Sequence, residues 1–350
     1  MKAIKIQEGH KASIEEVPIP RLRPSYLLIK TYAVGCNPID YKLIDFLGMP
    51  ERTVGCDVAG MVQEVGSKVT VPFKKGDRVA GMVHGANNEE PEDGAFAEYA
   101  VLKGDIALKI PDWMSFEDAA TLGVGVHTAG QGLYQQLGLP WSDGPSQEKW
   151  PILIYGASSG ISLYAMKFAR LSGLEIYATS SPRNFDLLRA LGAVNVYDYN
   201  SPTCGADIRR DTNNQLFHVF DCISAGSSLE VCCEALSSDS RSPFGEQPIH
   251  HTLVAVEKLP RPDVKMTYAL AYTATGETFT FKGGFQFPGS SADFEFAKKW
   301  AQFVSQLLKG KTLEPVKPVV QHRGLEGVLD GIDLYRKGKV SGQKLAYKIA

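Results

Sequence analysis

The chain has 350 residues, 44% of them hydrophobic, which at roughly 150 residues per domain is material for two packed cores. Lys and Arg number 37 against 39 Asp and Glu, a formal charge of −2, so the basic excess on which nucleic-acid and anionic-membrane binders rely is missing. The longest apolar stretches, such as 151–157, fall far short of the roughly 20 residues that span a bilayer, and the start MKAIKIQEGHK has no signal-peptide core; a cytoplasmic protein without membrane or nucleic-acid partners is expected.

Runs of β-branched and aromatic residues at 25–34, 57–65, 77–82 and 97–101, separated by Gly, Pro and Asn-Pro, predict a small antiparallel barrel. At Ser115-Phe116-Glu117-Asp118 the period changes: an N-cap and acidic first turn open a helical pattern that runs towards Leu137. The polar stretch 139–149 reads as a solvent loop. Beyond it strands and helices alternate, with strands at 151–157, 175–180, 194–197, 216–223, 252–256 and 265–272 and helices at 161–172, 184–191 and 227–236. Such steps are the signature of a doubly wound parallel sheet. Helices at 292–308 and 325–336 and a last strand at 344–349 bring no Gly-rich turn of their own, and are expected to return to the first domain.

The six cysteines, Cys36, Cys56, Cys204, Cys222, Cys232 and Cys233, contain no C-x-x-C pair, so neither a disulfide framework nor a thiolate zinc knuckle is expected. The strongest chemical signal is Tyr155-Gly156-Ala157-Ser158-Ser159-Gly160-Ile161-Ser162, after a predicted strand and at the start of a predicted helix. Small residues there let the backbone approach a pyrophosphate, held at Ser158, Ser159, Gly160 and Ile161 by the free N–H groups of the helix N-terminus. Ser162 stands where a third Gly is usual. At the end of the second strand, Ser180-Ser181-Pro182-Arg183-Asn184 offers no carboxylate. An acidic residue there would repel a 2′-phosphate, whereas Ser181, Arg183 and Asn184 can bind one, which favours NADPH. Arg183 is otherwise a solvated helix-start residue, and Tyr199 either lies against the same phosphate or is ordinary packing.

With these residues goes a family resemblance. Asn37-Pro38-Ile39-Asp40-Tyr41-Lys42, Gly55-Cys56-Asp57-Val58-Ala59-Gly60, Lys75-Gly76-Asp77-Arg78-Val79, Gly94-Ala95-Phe96-Ala97-Glu98-Tyr99 and the glycine turn stand in the order seen in medium-chain dehydrogenase/reductases. Thr128-Ala129-Gly130, Ser181-Pro182-Arg183-Asn184-Phe185-Asp186, Asp198-Tyr199, Ser341-Gly342-Gln343-Lys344-Leu345 and the polar insert before Trp150 resemble the fungal trans-acting enoyl reductases that serve polyketide synthases. The resemblance implies an α/β chain with a GroES-like β-barrel catalytic domain over 1–125 and 286–350 and a Rossmann NADPH-binding domain over 126–285. It also implies a monomer, acting on an enoyl intermediate tethered to the acyl carrier protein of a polyketide synthase.

Zinc alcohol dehydrogenases of the superfamily hold a catalytic zinc through Cys, the His of Gly-His-Glu and a further ligand. Here Asn37 stands in the place of the first Cys and Cys56 in that of the His, and 85–94 has no cysteine, so no metal is expected. Without it, reduction of a conjugated thioester is the fitting chemistry: hydride to the β-carbon, donors on the developing enolate, a proton to the α-carbon. The resemblance places Ile39, Asp40, Tyr41, Lys42, Ser341 and Gly342 at the cofactor, and position at a strand end adds Ser224, Val256 and Glu257. Lys42 and Thr128 are the expected catalytic residues, holding the nicotinamide end and its ribose. Among Lys42, Tyr41, His127, Thr128 and a bound water the α-proton donor stays open, Phe46 standing where related mitochondrial enoyl reductases have a tyrosine. Thr128, Ala129, Gly130, Gln131, Gly132, Leu133, Tyr134 and Gln135 are expected along one side of the acyl chain, and Ala269, Leu270, Ala271, Tyr272 and Thr273 along the other. Quinone or alkenal reduction, or silent NADPH binding, are the alternative functions.

Overall fold

The computed structural model describes residues 1–141, 150–242 and 247–350. The chain divides into two compact units, residues Met1–His127 with Tyr272–Ala350, and Thr128–Ala271. Residues 272–285, expected on the nucleotide side, therefore belong with the first unit, and much of the polar insert at 139–149 lies outside the described residues.

The first unit is built around the ten-residue strand Tyr26–Gly35, which pairs antiparallel with Asp57–Val65, Tyr99–Lys103 and the C-terminal Lys344–Lys348. Arg78–Met82 and Leu108–Lys109 extend the sheet beyond Asp57–Val65, and Pro318–Gln321 lies parallel to Lys344–Lys348 at the other edge. Register shifts at Leu28/Ile29 and Thr31/Ala33 curl the central strand in the manner of β-bulges. An N-terminal hairpin, Lys2–Gln7 with Lys11–Glu16, flanks it; its charged alternation hid it from the sequence reading. The helix Ser291–Lys309 buries Ala297, Trp300, Ala301, Val304 and Leu308 on one face, the i, i+3, i+4, i+7 spacing of an amphipathic helix. The Trp300 indole N–H donates to the Val126 carbonyl at 3.0 Å.

The second unit carries six parallel strands in the order Ala193–Asp198, Glu175–Ser180, Pro151–Tyr155, His218–Asp221, Ile249–Thr252 and Lys265–Tyr268, the doubly wound order whose switch point lies between the strands Pro151–Tyr155 and His218–Asp221. Several strand ends differ from expectation, two of them for a visible reason. Ile249–Thr252 replaces 252–256, because the Leu253 N–H turns to the Ser224 hydroxyl at 2.8 Å and leaves the ladder. Lys265–Tyr268 replaces 265–272, the chain passing into a 3₁₀ turn over Ala271–Thr275. A helix at Cys204–Asp211 escaped the sequence reading, since only Cys204, Gly205 and Ile208 of it are buried. No helix among the described residues is long and apolar enough to cross a membrane.

Candidate functional site

The glycine turn of the second unit leaves the strand Pro151–Tyr155 at Gly156, whose φ of +70° suits glycine, and enters the helix Gly160–Leu171. Thr179 anchors it from the next strand: the Gly156 N–H donates to Thr179 Oγ1 and the Ala157 N–H to the Thr179 carbonyl, both at 2.9 Å. Ser162, in place of a third glycine, is fully buried; its hydroxyl donates to the Gly156 carbonyl at 2.8 Å and lies 2.6 Å from Ser159 Oγ, the cap of the helix. The hydroxyl thus braces the turn from beneath. Ser158, Ser159, Gly160 and Ile161 stay half-buried at the helix N-terminus, where N–H groups and the helix dipole favour an anion.

At the end of Glu175–Ser180, Ser181 Oγ lies 3.2 Å from the Tyr199 hydroxyl, so these two predicted residues do come together. Pro182–Asn184 is a 3₁₀ turn with Asn184 buried. Arg183 is exposed, and among the described residues its guanidinium forms no ion pair with any carboxylate. Across the switch point, Asp221 organises the next turn. It accepts the Ile223 and Ser224 N–H groups at 2.9 Å and the Ser228 hydroxyl at 2.6 Å, with His250 Nε2 at 3.3 Å. Ser224 is held there at φ +55°. Val256 and Glu257, expected at a strand end, lie in the loop beyond Thr252; Val256 packs against the core and Glu257 is exposed.

In the first unit the short helix Pro38–Lys42 is fastened at both ends of its first turn: Asp40 Oδ2 accepts the Asn37 N–H at 2.6 Å and the Asp40 N–H donates to the Asn37 carbonyl at 3.1 Å. Asp40 is buried, and burial pushes its carboxyl up to about 7. Ile39 and Tyr41 are half-buried and Lys42 is exposed, without a salt bridge among the described residues. Beneath them the buried Lys344 ammonium is ion-paired with Asp57 and donates to Asn37 Oδ1 at 2.9 Å. Asp57 Oδ1 in turn accepts the Val124 N–H at 2.6 Å, at the start of the helix Gly123–Gly130 that carries Thr128. A side chain at Gly123 would meet that oxygen at 2.3 Å, so only glycine fits.

Two family descriptions match, "Alcohol dehydrogenase GroES-like domain" at residues 23–112 and "Zinc-binding dehydrogenase" at residues 160–244. The trans-enoyl reductase ACTTS2 of Alternaria alternata is 40% identical, covering 99% of this chain and 98% of its own; resD of Aspergillus sclerotiorum, also a trans-enoyl reductase, is 42% identical over 97% and 98%. The chain belongs to the trans-enoyl reductase family of the medium-chain dehydrogenase/reductases. The fold agrees: the CurK enoyl reductase superposes with TM-score 0.75 over 100% of this chain and 99% of its own at 18% identity, and a mycobacterial protein solved with NADPH with TM-score 0.71 over 99% of each at 20%.

The second family description names zinc, and the donor set of this trans-enoyl reductase does not fit it. A catalytic zinc takes three protein ligands. Asn37 Oδ1 is occupied by the Lys344 ammonium, which already supplies positive charge, and the Cys56 sulfur lies 3.1 Å from the Tyr272 hydroxyl. Burial raises the Cys56 thiol well above its usual range, against the thiolate a metal needs. Among the described residues the one group of suitable side chains within reach of one another is Asp221, Cys232 and His250, and both Asp221 oxygens there already accept the hydrogen bonds given above.

Other candidates of the trans-enoyl reductase site fall into place less well. His127 is buried and held down to about 4 by that burial, against a bond to the Ile106 backbone; it is neutral at pH 7 and a poor acid. Thr128, Ala129, Gly130 and Gln131 are buried, Gln135 half-buried. Gly132, Leu133 and Tyr134 pack inward instead of forming an open wall: a side chain at Gly132 would meet Phe220 at 2.7 Å, Leu133 is fully buried, and the Tyr134 hydroxyl donates to the Phe168 carbonyl at 3.1 Å. Ala269, Leu270, Ala271 and Thr273 are half-buried and Tyr272 is buried. Ser341 and Gly342 form the turn before the last strand, Gly342 at φ +68°. The sequence reading missed the Asp57–Lys344 pair and the Cys56–Tyr272 contact; a charged residue in an otherwise apolar strand was the available signal for the first.

Proposed function

We propose that the chain is an NADPH-dependent enoyl reductase that acts in trans on an α,β-unsaturated acyl thioester held by the acyl carrier protein of a polyketide synthase. The observation that carries this reading is identity of 40% with a trans-enoyl reductase over 99% of the chain. A second observation favours NADPH over NADH: the second strand ends without a carboxylate, in Ser181 paired with Tyr199 and an uncommitted Arg183, the charge and donors that suit a 2′-phosphate.

In this reading Ser158, Ser159, Gly160 and Ile161 hold the pyrophosphate, and Ser181, Arg183, Asn184 and Tyr199 the adenosine ribose phosphate. Lys42 and Thr128 hold the nicotinamide end, together with Ile39, Asp40 and Tyr41, while Ser224, Val256, Glu257, Ser341 and Gly342 flank it. When bound, NADPH supplies the hydride for the β-carbon. The chain's own task is to fix the thioester, lend hydrogen-bond donors to the carbonyl oxygen as it gains charge, and protonate the α-carbon. Asp57, ion-paired with Lys344, accepts the Val124 N–H at the N-terminus of Gly123–Gly130, and Lys344 donates to Asn37, just ahead of the helix that carries Lys42.

The purified chain, given NADPH and an enoyl thioester of pantetheine or of a loaded carrier protein, is expected to return the saturated thioester, with two hydrogens gained by mass spectrometry. An unchanged thioester beside steady reduction of a simple quinone would instead favour a reductase of free small molecules.

A further inference from the structure

In the first unit the C-terminal stretch 336–345 grips the segment that carries Lys42 at both of its ends. The helix Pro38–Lys42 runs straight on into a single π turn, Leu43–Leu47, closed by the Gly48 N–H on the Leu43 carbonyl at 2.7 Å. Single π turns inside helices recur at functional sites. Ahead of Lys42, the Cys36 N–H donates to the Leu345 carbonyl at 3.0 Å and the Lys344 ammonium to Asn37 Oδ1 at 2.9 Å. Behind Lys42, Arg336, the last residue of the helix Gly324–Arg336, holds Asp45 in a fork: Nε donates to Oδ2 and Nη2 to Oδ1, both at 2.9 Å. Asp333, one turn earlier on the same helix, accepts from Arg336 Nη1 and so aims the guanidinium. The Asp45 side chain is only 12% exposed, and among the described residues Arg336 alone forms a salt bridge with it. Between the two ends of this grip lies the turn of Ser341 and Gly342. The two segments read above as lying at the nicotinamide end are therefore fastened to each other by residues that are not themselves part of the cofactor set.

We propose that Arg336 is a positioning residue for the cofactor: through Asp45 it fixes the backbone that carries Lys42, and so the place at which the Lys42 ammonium meets the nicotinamide ribose. The inference rests on the NADPH-dependent reading above, in which Lys42 holds that end of the cofactor. A bidentate guanidinium–carboxylate pair fixes two atoms of each partner in one plane, so it sets orientation as well as distance, which a lysine in the same place would not. Asp45 follows Lys42 by three positions on the adjoining π turn, so a swing of its carboxylate reaches the Lys42 backbone within one turn. Lys42 is exposed and forms no salt bridge among the described residues; the place of its ammonium therefore depends on the backbone beneath it. The Arg336 side chain is 33% exposed, and an ion pair open to solvent contributes little to stability. What this one contributes is register between 336–345 and 37–47.

The test is a double-mutant cycle on NADPH affinity, read by calorimetric titration of the full chain. Arg336→Gln, which keeps much of the length and removes the fork, should weaken NADPH about 10-fold, the scale of one hydrogen bond to a charged group, while the melting curve barely moves. Made in a Lys42→Ala chain, the same substitution should weaken NADPH less than about twofold, because the group it positions is gone. A merely structural role gives the same loss in both backgrounds, and that result overturns the proposal. So does an Arg336→Gln chain that binds NADPH as tightly as the unaltered one. Should Arg336→Gln not fold, Asp45→Asn takes its place in the same cycle and is judged by the same two results. Enoyl thioester turnover by the unaltered chain is measured beside the titration. NADPH binding without turnover removes the enoyl reductase reading and leaves Arg336 to be decided by the cycle, whereas a chain that binds no NADPH overturns both.

Discussion

Lys344 and Asp57 lie 287 positions apart and form a buried ion pair in which both side chains are almost wholly shielded from solvent. Removing one member leaves the other charge unpaired in the interior, at a cost of about 3–5 kcal/mol. Lys344→Met should therefore lower the thermal midpoint markedly, and Asp57→Leu combined with Lys344→Met should recover a large part of the loss. A single variant as stable as the unaltered chain by calorimetry would refute the pair's structural role.

The occupied donors at Asn37 and Cys56 predict indifference to metal. Prolonged dialysis against a strong chelator should leave both the melting curve and NADPH oxidation unchanged, and added zinc should restore nothing. Loss of activity on chelation, reversed by zinc, would contradict this.

Arg183 is the residue with a charge to spare at the end of the second strand. A hydrogen bond to a charged group contributes about 1.5–3 kcal/mol, a factor of roughly 10 to 100 in affinity. Arg183→Glu, which adds repulsion to that loss, should raise the KM for NADPH by about 100-fold or more while that for NADH barely changes. Equal losses for the two cofactors in steady-state kinetics would remove Arg183 from phosphate recognition.

Much of this architecture was legible because local chemistry and global fold agree. The run from Tyr155 to Ser162 announces a strand, a tight turn and a helix N-terminus within eight residues, and Ser115 caps Phe116–Ala119 by accepting the Asp118 N–H, as its spacing implies. What stayed hidden depends on tertiary context. Thr252 ends its strand because a serine hydroxyl from another loop captures the next N–H, and no property of 252–256 records that. Cys204–Asp211 is too polar to show a helical face when only three of its positions are covered. At the site, Ser162 reads as a missing glycine, whereas its hydroxyl does the bracing. Cys56 and Tyr272 read as a small core residue and a wall residue, since the fold alone brings a thiol and a hydroxyl 216 positions apart within bonding distance.

Stability should depend on pH through four buried histidines. Burial holds His84 and His251 down to about 3 and His127 and His218 to about 4, against 6.5 for the ordinary side chain. The folded chain refuses protons that the unfolded chain accepts, so this contribution is present above 6.5 and is lost as pH falls towards 4. Asp40 and Asp93 work the other way. Burial raises both from 3.8 to about 7, so their contribution is present at low pH and lost as pH rises to 7. Four groups outweigh two, and the thermal midpoint should fall between pH 6.5 and pH 5. A midpoint that rises on acidification across that range would contradict the assignment.

The most direct measurement is NADPH oxidation by the purified chain with an enoyl acyl carrier protein thioester, beside a simple quinone and beside NADH at equal concentration. The account predicts rapid oxidation with the thioester, formation of its saturated product, weak turnover with NADH and little with the quinone. Turnover confined to the quinone, with the thioester returned unreduced, would contradict it.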